Sequence, residues 1–246
     1  LRSLVGSEMC IRDSLDAETG KTIWKSRSLQ DEGGYASPIL ITYNGHRKIV
    51  ALTGNRIVGV NPENGQIDWT FDDLGKEGSQ YIVPTNTPLY KDGRIFTANG
   101  YGAGAFMLQL NEDASGVRLL WRNKGFDPHH GCFVLVDGII YGSSHGRNGL
   151  GKWMAVDWNT GRTRFEMNWG KGVGEGSVIA ADGMLYCSDE RRGMVGLVRV
   201  NPAKFDLVSF FRITRGEGAF WAHPVIHRGI LYVRHGNALM AYKIKG

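Results

Sequence analysis

Glycine recurs along this chain in two interleaved series that share almost the same period. The first series marks turns in four similar stretches, LDAETGKTIW, VNPENGQIDW, LNEDASGVRLLW and VDWNTGRTRF, at Gly20, Gly65, Gly116 and Gly161, spaced 45, 51 and 45 residues apart. The second series lies in KDGRIF, VDGIIY, ADGMLY and HRGILY, at Gly93, Gly138, Gly183 and Gly229, spaced 45, 45 and 46 residues apart. Two series with a common period indicate a repeat protein.

The stretch VNPENGQIDW predicts a β-hairpin within each repeat. Pro62 presets φ for a turn, and Asn64 and Gly65 tolerate positive φ. The turn separates an apolar strand end from a second strand that closes on Trp69. The other three stretches predict the same hairpin.

The period decides the architecture of the repeat. About 45 residues accommodate four strands of roughly 5–6 residues with short turns between them. The apolar runs are short, rich in β-branched and aromatic residues and bounded by glycine, so they do not follow the spacing of a helix. The sequence therefore predicts an all-β protein, a β-propeller made of four-stranded antiparallel blades.

The pattern apolar-Asp/Asn-x-x-Asn/Thr-Gly-x-x-x-Trp resembles the repeat of pyrroloquinoline-quinone-type (PQQ-type) propellers. That family includes an outer-membrane assembly lipoprotein and quinoprotein alcohol dehydrogenases, and the stretches HHGCFVLVDGIIYGS, GEGSVIAADGMLY and WAHPVIHRGILYV are similar to an uncharacterised bacterial branch of it. The resemblance covers roughly residues 15–244 and implies that one aromatic residue per repeat docks between neighbouring blades. The residues at this position are Trp24, Trp69, Trp121, Phe165 and Phe210, the last without the glycine turn.

The repeats predict four complete blades and two partial ones. Their expected bounds are about 15–28 (partial), 34–71, 81–122, 129–167, 174–213 and 220–246 (partial). The first fourteen residues do not follow the repeat, and EMCIRDS resembles a translated sequencing adapter, so we predict a non-native tail at 1–14 and a propeller domain at 15–246. The native N-terminal region is then expected to be missing, and the intact propeller to have seven or eight blades. A closed ring of five is the alternative.

In a propeller, the first strand of each blade begins at one mouth of the central channel. Aligning the repeats backward from the second glycine series places a ring of larger residues at these starts, next to small residues that suit a crowded axis. The ring is Tyr35, Thr85, His130, Glu175 and Trp221, with His129 and His223 adjacent. We predict that these seven residues form a ligand-binding mouth. No local spacing predicts a metal site, and no catalytic residue is predicted.

Three functions compete for this fold. The first is a non-catalytic binding or scaffolding module in the periplasm or elsewhere outside the cytoplasm, with a protein partner. The second is a quinoprotein dehydrogenase, for which the resemblance implies PQQ with calcium, an adjacent cysteine pair and a Glu/Asn ligand set. The chain has no Cys-Cys pair, so we expect no cofactor. The third is a carbohydrate or polymer binder that stacks sugars on Tyr35, Tyr101 and Trp221.

Charge and hydropathy argue against nucleic acid as a partner and against a membrane-spanning segment. The net charge is +5, but the basic residues are scattered and accompany no nucleic-acid-binding motif, so we predict no nucleic-acid partner. No apolar run approaches the roughly 20 residues of a membrane-spanning helix. The protein is therefore not expected to span a membrane.

Overall fold

The computed structural model describes residues 3–4, 13–74, 84–146, 151–170 and 174–244. Every regular element within these ranges is a β-strand, 22 in number. The chain divides into two compact units, Leu1–Arg122 and Asn123–Gly246.

The first unit contains three antiparallel sheets in which each strand pairs with its neighbour in the chain. The strands are β1 Ser3–Leu4, β2 Asp13–Leu15, β3 Thr22–Lys25, β4 Ile39–Tyr43, β5 His46–Leu52, β6 Ile57–Val60, β7 Ile67–Phe71, β8 Leu89–Lys91, β9 Arg94–Ala98, β10 Ala105–Leu110 and β11 Val117–Asn123. The sheets are β1-β2-β3, β4-β5-β6-β7 and β8-β9-β10-β11.

The second unit repeats this plan. Its strands are β12 Phe133–Val136, β13 Ile139–Ser144, β14 Lys152–Asp157, β15 Thr163–Met167, β16 Gly176–Ala181, β17 Met184–Asp189, β18 Met194–Arg199, β19 Asp206–Arg212, β20 Val225–His227, β21 Ile230–His235 and β22 Ala238–Lys243. They form the sheets β12-β13-β14-β15, β16-β17-β18-β19 and β20-β21-β22. The predicted four-stranded antiparallel blades are confirmed.

Most of the predicted non-native tail, 1–14, lies outside the described residues, as does the predicted start of the third blade at 81. Asp13 and Ser14 lie inside them and open β2, which pairs with β3. The origin of the tail and the bounds of the blades stay predictions.

The second glycine series forms two-residue hairpin turns between the first and second strands of the sheets. At Asp92-Gly93 the φ angles are 50° and 76°, and at Asp182-Gly183 they are 50° and 72°. Positive φ at both central residues is the requirement of a type I′ turn, whose twist matches that of the flanking strands. Asn44-Gly45 is a further member of the series, with φ angles of 48° and 82°.

The first glycine series forms the turns that lead into the outermost strands. Asp157 Oδ1 accepts the Thr160 backbone N–H at 2.9 Å, and the N–H of Gly161 donates to the Asp157 carbonyl at 2.9 Å. The structure corrects two details of the prediction. Asn64 does not adopt positive φ, and in the third stretch Ala114 takes the left-handed conformation (φ 54°) instead of Gly116.

Aromatic side chains of the outer strands pack the first unit. The Trp24 indole N–H donates to the carbonyl of Pro62 in the following sheet at 2.9 Å, and its ring lies over Gly65, where an added Cβ would come within 2.4 Å. Trp69 covers Gly59, its partner across β6 and β7, and belongs to a core with Phe106 of the next sheet. Trp121 lies against Phe96 of its own sheet, with 5.7 Å between ring centroids.

In the second unit, the predicted aromatic residue Phe210 does not pack against the sheet, and Trp169 takes its place. Phe165 contacts Phe205 with 6.5 Å between centroids. Phe210, expected at a blade contact, is 58% exposed. Trp169 instead covers Gly196, the cross-strand partner of Phe210, and would lie 2.5 Å from a Cβ there. The two rings meet edge to face at 5.6 Å, so Trp169 fills the space that the repeat pattern assigned to Phe210.

Candidate ligand-binding site

A group of histidine, glutamate and tryptophan side chains meets in the second unit, where the first strands of the sheets begin and the second strands end. We call it the strand-start cluster, and its members are His129, His130, His145, Glu175, Glu190, Trp221 and His223. His129 and His130 precede β12, Glu175 precedes β16, and Trp221 and His223 precede β20. His145 and Glu190 directly follow β13 and β17.

Close backbone packing beneath the cluster explains why glycine occurs at the strand starts. A Cβ on Gly131 would lie 2.0 Å from the carbonyl oxygen of Gly176, and a Cβ on Gly176 would lie 1.9 Å from that of Ser188. The Ser143 hydroxyl donates to the carbonyl of Gly176 at 2.8 Å and accepts its N–H at 3.0 Å. Since any side chain would separate these backbones, glycine fixes the base of the cluster.

His145 and Glu175 form the buried ion pair of the cluster. His145 Nδ1 contacts Glu175 Oε1, and Glu175 is only 3% exposed. Burial by itself raises the pKa of Glu175, but the hydrogen bond and charge of His145, with the charge of Arg191, outweigh it and leave that pKa lowered. The same hydrogen bond raises the pKa of His145. The pair is therefore held in its charged form.

Glu190 lies beside this ion pair and also faces His130. Its Oε2 is 3.3 Å from His130 Nε2, and its backbone N–H donates to the Glu175 carbonyl at 3.1 Å. Burial, followed by the negative charge of Glu175, raises the pKa of Glu190 to about 7. The cluster thus holds one ionised carboxylate and one carboxyl group that titrates near neutrality.

His129 links the two histidines that bind these carboxyl groups. Its ring centroid lies 4.7 Å from that of His130 and 5.2 Å from that of His145. Burial, together with the neighbouring imidazoles, lowers the pKa of His129 to about 4. Burial is also the main cause of the lowered pKa of His130. Both rings are consequently neutral at pH 7.

Trp221 forms the exposed face of the cluster. Its indole is 62% exposed and its centroid lies 5.1 Å from that of His130. His223 Nε2 donates to the carbonyl of His130 at 2.8 Å, which ties the start of the last sheet to the start of β12. The hydrogen bond with Cys132 raises the pKa of His223 against the effect of burial.

Five of the seven predicted site residues meet in this cluster: His129, His130, Glu175, Trp221 and His223. The other two, Tyr35 and Thr85, belong to the first unit. There the Tyr35 backbone N–H donates to the carbonyl of Pro84, directly before Thr85, at 2.8 Å, and the Tyr35 side chain is 78% exposed.

Sequence reasoning missed His145 and Glu190. Each lies seven positions after the turn glycine of its sheet, Gly138 and Gly183. Counting forward from these glycines, as well as backward, would have placed both residues at the ends of second strands. Because antiparallel pairing brings the end of a second strand to the start of the first, both positions belong to the same mouth.

The residues of the strand-start cluster do not supply the ligands that a calcium–quinone centre requires. Within the described ranges, no three or more histidine, cysteine, aspartate and glutamate side chains are arranged to hold a metal ion. One oxygen of Glu175 is already engaged by His145. The two cysteines of the described ranges, Cys132 directly before β12 and Cys187 in β17, form no disulfide.

The four-stranded antiparallel sheets repeat along the chain with the same glycine-containing turns between their strands. This arrangement defines a β-propeller protein. A family model described as outer membrane protein assembly factor BamB matches residues 11–167. This match covers more than half of the chain, which therefore belongs to that family. No curated protein sequence matches the chain significantly.

Solved structures show the same fold. BamB from Moraxella catarrhalis aligns with a TM-score of 0.74 at 18% identity, over 98% of this chain and 68% of the other. Sqt1 from Saccharomyces cerevisiae gives 0.70 at 12% identity, over 99% and 68% of the two chains. The quinohemoprotein alcohol dehydrogenase ADHIIG from Pseudomonas putida HK5 gives 0.64 at 15% identity, over 94% of this chain and 49% of that one. At these identities the likeness is one of fold.

In the part of the chain that the structure describes, no helix is long and apolar enough to cross a membrane.

Proposed function

We propose that this chain is a non-catalytic binding or scaffolding module that acts outside the cytoplasm and holds a protein partner at the strand-start cluster. Membership of a family described as an outer membrane protein assembly factor supports both the partner and the location. The structure of BamB from Moraxella catarrhalis, which this chain matches over nearly its whole length, supports the same reading.

The observation that carries the proposal is the exposed Trp221 ring resting on His130. Tryptophan is enriched among residues that dominate binding energy, because a rigid indole buries a large area at little entropic cost. Trp221 is 62% exposed, yet its ring packs against the half-buried imidazole of His130, with 5.1 Å between the centroids and 58° between the planes. The ring is thus exposed to solvent while one neighbouring side chain restricts it.

The remaining groups of the cluster support this ring. His130 is fixed by Glu190 at 3.3 Å and by its carbonyl bond to His223 at 2.8 Å. His145 and Glu175 neutralise each other behind them. Because these charges are paired within the protein, we assign them the role of positioning the binding face.

A glycan is the second candidate ligand. Indole faces stack on sugar rings, and Arg191, whose side chain is 43% exposed, lies 3.8 Å from Glu175 Oε2 at the edge of the cluster. An exposed arginine donates hydrogen bonds that the hydroxyl groups of a sugar accept. This candidate uses the same residues and is separated from the first by experiment.

Photocrosslinking at position 221 tests the proposal. We would introduce the photocrosslinking residue benzoylphenylalanine at position 221 of the chain in its source organism. A parallel strain would carry the same residue in place of Leu239 as the control. Leu239 is 69% exposed in β22 and belongs to the same unit but not to the cluster. We expect one discrete protein adduct from position 221 and none from position 239.

Three results would contradict the protein-partner proposal. These are the absence of adducts at position 221, identical adducts at both positions, or glycan-array binding that Trp221→Ala abolishes without any protein adduct. The last result would establish the glycan candidate instead.

A further inference from the structure

One oxygen of the buried Glu175 carboxylate lacks a hydrogen-bond donor. Oε1 is engaged by His145, whereas Oε2 has no hydrogen-bond partner among the described residues. Arg191 Nη2 is 3.8 Å from this oxygen, beyond hydrogen-bonding distance. A buried acceptor that is left unsatisfied destabilises the fold, so a proton donor is expected at this oxygen.

The carboxyl group of Glu190 is placed to supply that donor. Its backbone N–H donates to the Glu175 carbonyl at 3.1 Å, which places the two residues side by side, and a hydrogen bond between their carboxyl groups lowers the pKa of Glu175 and raises that of Glu190. Two carboxylates this close repel each other, whereas a proton on one lets it donate to the other. We propose that Glu175 and Glu190 form a proton-sharing carboxyl pair, and that release of the shared proton acts as a pH-sensitive switch on the strand-start cluster.

The groups around the pair decide which carboxyl carries the proton. His145 and Arg191 face Glu175 and favour its ionised form, while Asp127 acts on His145 and favours the imidazolium. Glu190 faces His130, which is itself surrounded by His129, His145 and His223. The buried Asp189, next to Glu190, is held by the N–H groups of Arg191 and Arg192. The proton therefore resides on Glu190, and its raised pKa of about 7 agrees with this assignment.

Release of the proton changes the charge under the exposed ring. Below about pH 7 Glu190 is neutral and donates to Glu175 Oε2. Above that pH the proton passes to water, and Glu190 becomes a second negative charge next to the neutral His130 imidazole, whose Nε2 lies 3.3 Å from Glu190 Oε2. Because His130 supports Trp221, the protonation state of the pair alters the surroundings of the binding face.

Infrared titration of the unmodified chain tests the pair directly. A carboxyl C=O stretching band should disappear as the pH rises through about 7, since ordinary carboxyl groups have lost their protons well below that pH. The band should be absent from Glu190→Gln. In Glu175→Gln it should titrate at lower pH, because the neighbouring negative charge is gone. Glu166→Gln, which removes an exposed carboxyl group of β15, should leave the band unchanged.

Thermal unfolding gives a second readout. The folded chain binds the Glu190 proton more tightly than the unfolded chain, so the contribution of Glu190 to stability should fall as pH rises from about 4.5 to about 7 and then level off, and it is measured as the difference between the unmodified chain and Glu190→Gln. In Glu190→Gln this part of the pH profile should be lost. The proposal is overturned if the unmodified chain has no carboxyl band titrating near pH 7, or if Glu190→Gln keeps both the band and the slope. The first of these results requires no variant to fold.

Discussion

His130 Nε2 lies 3.3 Å from Glu190 Oε2, so a ring at the start of one sheet of the second unit meets a carboxyl group at the end of a strand in the next. This contact places the exposed indole of Trp221 and the buried Glu175 in one connected group. The strand-start cluster is therefore a single structural element, and substitutions at its buried end are expected to act on its exposed end.

Replacing Glu175 with alanine should destabilise the second unit. His145 would lose the hydrogen bond that raises its pKa and would be left half-buried without this partner, and such a loss costs about 1–3 kcal/mol. Urea denaturation followed by circular dichroism measures the change. Glu166→Ala is the matched control, because its exposed pair with Lys152 is worth less than about 1 kcal/mol. Equal losses in the two variants would show that the Glu175 pair is not special.

Gly59→Ala should destabilise the first unit by about 2–3 kcal/mol, because the new methyl group would lie 2.0 Å from the Trp69 ring. Gly125→Ala should be nearly neutral, since its Cβ would meet only Asn123 Oδ1, at 3.4 Å. Combining Gly59→Ala with Trp69→Leu should recover part of the loss, as removing the ring makes room. A neutral Gly59→Ala would disprove the packing described for Trp69.

Trp24→Phe should cost about 1 kcal/mol through loss of the indole hydrogen bond to Pro62, and Trp24→Ala about 3–5 kcal/mol through loss of the buried ring. Phe210→Ala should cost less than about 1 kcal/mol, because that side chain is largely exposed. Chemical denaturation of the three variants checks the order. A greater loss for Phe210→Ala than for Trp24→Ala would contradict the docking contact.

His129 should make the protein less stable in mild acid. Its pKa is about 4 in the folded chain and 6.5 ordinarily, so the unfolded chain binds the proton more tightly. The contribution of His129 to stability is then fully present above about pH 6.5 and is lost as the pH falls towards 4. His129→Gln should flatten this part of the pH profile of the thermal midpoint. An unchanged profile would show that His129 is solvated in solution.

Because the strand-start cluster does not supply the ligands of a calcium–quinone centre, we expect the chain not to bind PQQ. Incubation of the purified chain with PQQ and Ca²⁺ should give neither stoichiometric cofactor absorbance nor alcohol-dependent dye reduction. Cofactor binding with turnover would contradict the binding-module proposal. Cofactor binding without turnover would contradict the ligand argument alone, so the two failures are distinguishable.

The turn chemistry of the fold was predictable because it is local. The Asp92-Gly93 and Asp182-Gly183 dipeptides encode their own backbone conformation, and their repetition encodes the blades. Gly116 was misassigned because six residues separate the strands in both turns, 61–66 and 111–116, so that Ser115 and not Gly116 corresponds to Gly65, and the left-handed residue of the second turn is Ala114. The exchange of Phe210 for Trp169 was not predictable, since either ring could occupy the space over Gly196 and only packing selects one.

The part of the candidate site that precedes the first strands was predictable, because those positions recur at a constant distance from the turn glycines. Residues that precede first strands were found by aligning backward from the turn glycines. The partners of the buried charges, His145 and Glu190, were not found, because no local pattern marks the end of a second strand as a ligand position. Their role depends on pairing and burial, which appear only in the folded chain.

The reverse turns of the glycine series differ in the space around them. An added Cβ at Gly138 or Gly183 meets no atom of the described chain within 4 Å, whereas at Gly93 it would meet the Tyr43 ring at 2.5 Å. The Asp137-Gly138 and Asp182-Gly183 corners can therefore carry a spliced epitope or a fluorophore while the sheets and the aromatic face remain intact. The Asp92-Gly93 turn cannot carry such a graft, because the graft would displace the Tyr43 ring that packs against Gly93.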